Sequence, residues 1–254
     1  MVANHIVKPL QFSAAAACLG LAALAAASPP ITVAWRDKPP YHYTENGEAK
    51  GFLLQRAQDV FAKAGIEAHF INEPQKRIWA NFAHGATNYC SISWYDLPER
   101  ERVAQFSAAI HVDAPHTVLV SPAAIAQVKA HATLASLLAD PALTLGVVDG
   151  VSYGPELDAM IAHSTNQIMR RTVEATNMMR MLAVGRASFM FADRADWDFY
   201  RQHEPTLRVV VQHEFPDLPP GQKRHIACSK DIGADVMGRL NAAIAASAGP
   251  APNK

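Results

Sequence analysis

Between Ser93 and Ser107 the chain reads Ser-Trp-Tyr-Asp-Leu-Pro-Glu-Arg-Glu-Arg-Val-Ala-Gln-Phe-Ser, and here its residue types come closest to a chemical purpose. A β-rich run ends at Ser93, a polar and aromatic loop follows through Tyr95, and Pro98 is placed to open a short helix. Arg100, near that helix start, offers a planar fork able to grip a carboxylate through two parallel hydrogen bonds. The same Glu99, Arg100, Glu101 and Arg102 also describe a solvated charge run, and by composition alone that reading is the stronger. His111, Asp113 and His116 carry atoms that suit a metal, but they lie outside any helical pattern and lack a nearby fourth ligand. The 11 histidines are scattered, so no metal is expected. No G-x-S-x-G, H-E-x-x-H, G-x-x-x-x-G-K or G-x-G-x-x-G occurs, so nothing demands catalysis and no cofactor is called for.

Alternating strands and helices must position these residues. Ile31–Trp35 is a short β-rich run stopped by Asp37-Lys38-Pro39-Pro40, and Asn46-Gly47 is a strong hairpin signal. From Gly51, residues Leu53, Leu54, Ala57, Val60 and Phe61 fall on one helical face, and Gly65 stops that helix. A strand (67–72), a helix (75–84) ended by Gly85 and a strand through Cys90–Ser93 follow. The second half repeats the grammar: a strand at 143–148, a helix at about 154–163, a methionine-rich helix around Met178–Val184 ended by Gly185, and a strand at 188–192. The methionine cluster reads as core filler. Helix, glycine, then a buried strand ending in a polar loop occurs twice, at 79–95 and 181–193, about 100 residues apart. That echo predicts two similar α/β lobes, each with a mainly parallel sheet flanked by helices, and a small-molecule site between them.

With 254 residues, half of them hydrophobic, the chain is long enough for two such lobes. Twenty-three basic side chains balance 23 acidic ones, which argues against a nucleic-acid binder working through phosphate neutralisation. Lys8 precedes an apolar Ala- and Leu-rich run from Ser13 to Ala27, and Ser28-Pro29-Pro30 breaks it. A basic start, a short apolar centre and small residues at the end predict a secretory leader over residues 1–27, cleaved after Ala27. The run is shorter than the ~20 residues of a membrane span, and the residues around Cys18 do not suit lipid attachment. In the oxidising compartment beyond the membrane, Cys90 and Cys228 fit either a disulfide or two buried thiols.

The ordered set Pro39-Pro40-Tyr41, Asn46-Gly47, Gly51-Phe52, Gly85, Pro98-Glu99-Arg100 and Phe106-Ser107 resembles the first lobe of the family 3, polar amino acid type, extracellular solute-binding proteins of ABC transporters. Gly150-Val151-Ser152, Gly185-Arg186 and Asp193 resemble that family's second lobe. The likeness covers about residues 31–247. It implies the type 2 periplasmic binding fold, with lobe 1 at 28–120 plus 226–254, lobe 2 at 121–225, crossings near Val118–Ser121 and His225–Ser229, and hinge closure on ligand. It implies that Arg100 clamps a ligand α-carboxylate, that Ser152 helps at a helix start, that Asp193 receives an α-ammonium and that Tyr41 covers the ligand side chain. Tyr95 stands where Ser or Thr is usual, and it and His111 are expected to reshape the pocket, with Ser93 counted among the ligand-binding residues. Arg77 suits a second anionic group or a solvated helix face.

The expected protein is therefore a periplasmic monomer that captures an amino acid or related carboxylate for an inner-membrane ABC permease, with no nucleic-acid partner. A sensory or accessory binding domain is the alternative, as is a dehydratase-like enzyme on the same scaffold with His111 or Glu99 as its acid or base.

Overall fold

The run Ile31–Trp35 forms β1, buried along nearly its whole length, in a computed structural model that describes residues 1–2 and 29–247. The expected leader lies, from residue 3 on, outside the described residues. A hairpin follows, β2 (Tyr43–Glu45) and β3 (Glu48–Lys50), turned by Asn46 and Gly47 with φ of 54° and 81°, as a tight two-residue turn requires. In α1 (Phe52–Lys63) the buried residues are Leu53, Leu54, Ala57, Val60 and Phe61, the face read from the sequence. Then come β4 (Ala68–Asn72), α2 (Gln75–Ala83), β5 (Tyr89–Trp94), the short α3 (Pro98–Glu101), β6 (Gln105–Phe106) and β7 (His111–Val112).

The second lobe runs through β8 (Thr117–Val120), α4 (Ile125–Lys129), α5 (Leu134–Leu138), β9 (Thr144–Val148), α6 (Pro155–Ala162), β10 (Gln167–Arg171), α7 (Ala175–Ala183), β11 (Phe189–Ala192), α8 (Arg194–His203) and β12 (Val211–His213). The chain returns through β13 (Lys223–Cys228) and α9 (Ala234–Ser247), whose Met237, Leu240, Ala243 and Ile244 join the core beside α1. Met178 and Met179 are fully buried in the second lobe's core, where their flexible side chains fill space against Leu182 and Met190.

The two sheets share one plan. The first has the order β4-β1-β5-β13-β6, with β7 also beside β13, and the second has β10-β9-β11-β8-β12. In each, three strands run parallel and the strand arriving from the other lobe, β13 in the first sheet and β8 in the second, is antiparallel. The repeated helix–glycine–strand unit therefore occupies equivalent places, as α2–β5 and α7–β11. This is the two-lobed α/β architecture that the echo implies.

The crossings fall earlier than the sequence suggests. β8 pairs with β11 and β12 in the second sheet, and β13 pairs with β5, β6 and β7 in the first. The chain thus crosses at residues 113–116 and 219–222, since Phe215 and Leu218 still pack in the second lobe's core. We place the lobe boundaries there instead of after 120 and 225. Apolar character at Val118–Val120 and Ile226–Cys228 marks strands, whereas only hydrogen-bonded pairing decides which sheet they join. The two crossings lie side by side, with Asp113 N–H donating to Gln222 O at 2.9 Å. A Cβ on Gly221 would sit 1.7 Å from the Asp113 carbonyl oxygen, so this approach requires glycine.

Cys90 and Cys228 are register partners on β5 and β13 and form a disulfide inside the first lobe's core. The bond joins the two chain segments of that lobe across a separation of 138 residues. A closure of that length removes much entropy from the unfolded chain. The Cys90→Ala, Cys228→Ala variant is expected to lose about 2–5 kcal/mol of unfolding free energy, measured by denaturation against the oxidised protein.

Candidate functional site

Parallel strands end on one side of each sheet, and the loops leaving them gather there. The loops after β1, β4, β5, β9, β10 and β11 meet between the lobes around a cavity of about 480 Å³. The first lobe contributes Arg36 and Lys38 after β1, Trp94, Tyr95 and Arg100 after β5, and Arg224 in β13. The second contributes the loop Val148–Tyr153, residues 172–175 at the start of α7, and Asp193 and Asp196 at the start of α8.

Arg224 is the buried hub, only 3% exposed. Its Nε and Nη2 donate to the two oxygens of Asp113 at 2.8 and 2.7 Å. Its Nη1 reaches the Ser93 carbonyl and hydroxyl oxygens at 3.2 and 3.3 Å, and the Tyr41 ring lies 4.4 Å away. Ser93 has φ of 72°, a left-handed conformation unusual for a serine, which orients this acceptor pair. The hydroxyls of Tyr41 and Tyr95 donate to Asp113 at 3.2 and 2.8 Å. His111 Nε2 lies 3.4 Å from the same carboxylate. Asp113 is thereby committed to an arginine, and among the described residues no cluster of three His, Cys, Asp or Glu is placed to hold a metal.

Asp193 is surrounded as fully. Lys38 Nζ lies 2.7 Å and Arg224 Nη2 3.0 Å from its Oδ2, and His116 Nε2 lies 3.1 Å and the Tyr95 hydroxyl 3.4 Å from its Oδ1. Burial alone would raise its pKa, but Lys38 and Arg224, with His116, outweigh burial and hold the carboxyl well below its ordinary value. Lys38 also pairs with Oδ2 of Asp196. Asp196 is buried and its Oδ1 has no hydrogen-bond partner. Burial pushes its pKa up to about 6, against the opposing pull of Lys38 and with a further rise from Asp193.

Arg36 and Arg100 are different. Their guanidinium carbons lie 4.3 and 5.3 Å from the Trp94 ring, and Arg100 is also 4.9 Å from Trp79. Arg100 donates once, to the Tyr95 carbonyl at 3.0 Å. Among the described residues, Arg36 donates to no group, and neither arginine forms an ion pair. Burial, followed by repulsion from Arg224 and Arg100, pulls the Arg36 pKa down to about 10. Burial also lowers that of Arg100. Two cations facing one cavity without a counterion constitute an anion-binding arrangement.

Of the residues expected at the site, Arg100, Asp193, Ser152, Tyr95 and Ser93 line the cavity. Tyr41 and Arg77 do not. The Tyr41 carbonyl accepts the Leu53 and Leu54 N–H groups at 2.9 and 3.1 Å, which turns its ring into the core beneath Arg224. Arg77 is exposed on α2, because Ile78 and Phe82 take the buried face. The Ser152 hydroxyl donates to Asp158 at 2.5 Å and accepts from Gly154 N–H, so its proton is committed within its own loop. Arg36, Lys38, Asp196 and Arg224 were not anticipated, and His116 was weighed only as a metal ligand. Arg36 and Lys38 were legible only as residues following a strand, where ligand loops begin.

A family model described as bacterial extracellular solute-binding proteins, family 3, matches residues 31–221. Among solved structures, an ancestral arginine-binding protein bound to arginine superposes with a TM-score of 0.68 at 18% identity, over 87% of this chain and 92% of that one. The arginine-, lysine-, histidine-binding protein ArtJ from Geobacillus stearothermophilus gives 0.65 at 16% identity, covering 86% and 89%. An ancestral amino acid-binding protein described as a precursor of cyclohexadienyl dehydratase gives 0.65 at 16%, covering 85% and 88%. At these identities the likeness establishes the fold. No curated protein matches the chain by sequence.

Two stability measurements test this charge arrangement. Arg224→Met strands Asp113 in a dry site and is expected to cost about 3–5 kcal/mol, with part recovered in the Arg224→Met, Asp113→Asn double variant. Asp196, raised in the folded state, binds its proton more tightly there than in the unfolded chain. Its contribution to stability therefore falls as pH rises from about 4 to about 6. Asp196→Asn should gain on the wild type across that window by about 3 kcal/mol and then stay level. A difference that does not change with pH would contradict the assignment.

Proposed function

The chain belongs to family 3 of the bacterial extracellular solute-binding proteins, and from that premise we propose that it captures a small polar solute in the periplasm for the inner-membrane permease of an ABC importer. The proposed solute is an amino acid or a related carboxylate. One observation carries this reading: the loops of both lobes converge on a single cavity in which Arg36 and Arg100 present guanidinium groups without a protein counterion. A carboxylate laid against Arg100 would gain charge-assisted hydrogen bonds of about 1.5–3 kcal/mol each. The cavity also falls within the size range of small-molecule sites.

The chain is read as a binding protein in preference to an enzyme. In support, Glu99 is exposed on α3, and His111 packs against Tyr41 and Phe52 with ring centroids 6.1 and 5.2 Å away. Neither candidate acid or base lines the cavity. The leader expected over residues 1–27 supports the periplasmic placement.

Thermal denaturation in the presence of amino acids, small carboxylates, amines and sugars tests the proposal. A captured solute at ~100 times its dissociation constant adds about 2.7 kcal/mol, a rise in midpoint of roughly 5–10 °C for a protein of this size. Arg100→Ala should abolish the rise while leaving the midpoint of the protein alone within a few degrees. A screen in which nothing shifts the midpoint would overturn capture of a small solute.

A further inference from the structure

In a zwitterion-binding cleft a carboxylate must be free to accept the ligand ammonium. A carboxylate offers about four lone-pair positions. On Asp193, Oδ2 is taken by Lys38 and Arg224 and Oδ1 faces His116, with the Tyr95 hydroxyl, whose proton goes to Asp113, closing off its other side. The Nζ of Lys38 is itself an ammonium group. It lies between Asp193 and Asp196, reaching across from the first lobe to two carboxylates of the second. A protein side chain thus occupies the electrostatic position of a ligand ammonium.

The remaining inner charges point the same way. Arg36, Lys38, Arg100 and Arg224 face inward against Asp193 and Asp196, with Asp113 behind Arg224. The other acidic residues of the lining, Asp37, Asp149 and Glu174, are exposed at its rim, as is Lys76. The inner wall therefore carries one more cation than anion, and its two unpaired cations are the arginines stacked at Trp94. A second ammonium here would meet Lys38 at close range, with Asp193 already paired and the partnerless Oδ1 of Asp196 buried out of its reach. Across from the arginines, Val151, Val173 and Tyr200, with the edges of Val148 and Tyr153, give the second lobe a largely apolar wall.

The geometry points to a small carboxylic acid without an α-amino group, its carboxylate held by Arg36 and Arg100 and its apolar body against the second lobe, with Lys38 standing in for the ammonium of an amino acid. This inference rests on the solute-capture reading and narrows its substrate class.

The test is a titration of the whole mature protein with matched pairs: 3-phenylpropanoate against phenylalanine, 4-methylpentanoate against leucine, and glutarate against glutamate. At least one amine-free acid is expected to bind at least tenfold more tightly than its parent amino acid. In Lys38→Met, which keeps the side chain's bulk, that preference should shrink at least tenfold or reverse, since Asp193 and Asp196 are then open to a ligand ammonium. Parent amino acids binding the wild type as tightly as their amine-free counterparts would overturn the assigned class and leave solute capture standing. An unchanged preference in Lys38→Met would overturn the role of Lys38. No binding of either series to either protein would overturn the inference together with the capture reading. The wild-type comparison decides the ligand class even if the variant fails to fold.

Discussion

A guanidinium can be buried only when its donors and its charge are met from several directions, and Arg224 imposes that demand on the region between the lobes. Its bidentate partner, Asp113, stands at one crossing of the chain, and Arg224 itself is the second residue of the strand that follows the other. The pair therefore ties the two crossings together at the point where Gly221 lets their backbones touch. Tyr41, Tyr95 and the left-handed Ser93 are placed by the same demand, because each supplies an oxygen or a ring face to Arg224 or to Asp113. The two crossings and the inner wall of the cavity are consequently one network.

Contacts between the lobes within that network converge on Asp193, which receives Lys38, Arg224 and Tyr95 from the first lobe. Lobe separation must replace each of these with water around the same carboxylate. On the capture reading, the competition between a desolvated, ion-paired Asp193 and a hydrated one would govern how far the lobes part. Asp196 enters that balance through Lys38, and protonating it weakens only one of the two pairs that Lys38 makes.

The sequence made the fold legible because its signals repeat and are apolar. β1, α1, β5, α7 and β11 each bury a face that strand or helix periodicity predicts. β10 escaped because its residues are mostly exposed, and hydrogen bonding to β9 defines the strand where no apolar pattern does. α8 buries little beyond Asp196 and Trp197, which leaves its periodicity faint. The site was half legible. Arg100 and Asp193 stand out through motifs in their own neighbourhoods, whereas what each can bind is set by partners far along the chain. Lys38 reads as a turn residue before two prolines, and nothing local reveals that it reaches a carboxylate 155 positions away. The crossings were misplaced for a related reason: pairing with distant strands, absent from any local pattern, decides lobe membership.

Substituting a side chain for part of a ligand changes how binding can drive closure. When an ammonium arrives with the solute, the ion pair across the cleft forms only on binding, and closure is coupled to it directly. With Lys38 already bridging the lobes, that electrostatic bond exists with or without solute, and a ligand gains nothing from it. On the proposed capture reading, the differential affinity that closure requires must then come from the remaining surfaces: charge at Arg36 and Arg100 on the first lobe, and apolar area at Val151, Val173 and Tyr200 on the second. Charge fixes the ligand to one lobe in either arrangement. Contact with the apolar wall is complete only when both lobes enclose the ligand, so burial of its apolar body is the term that favours the closed form.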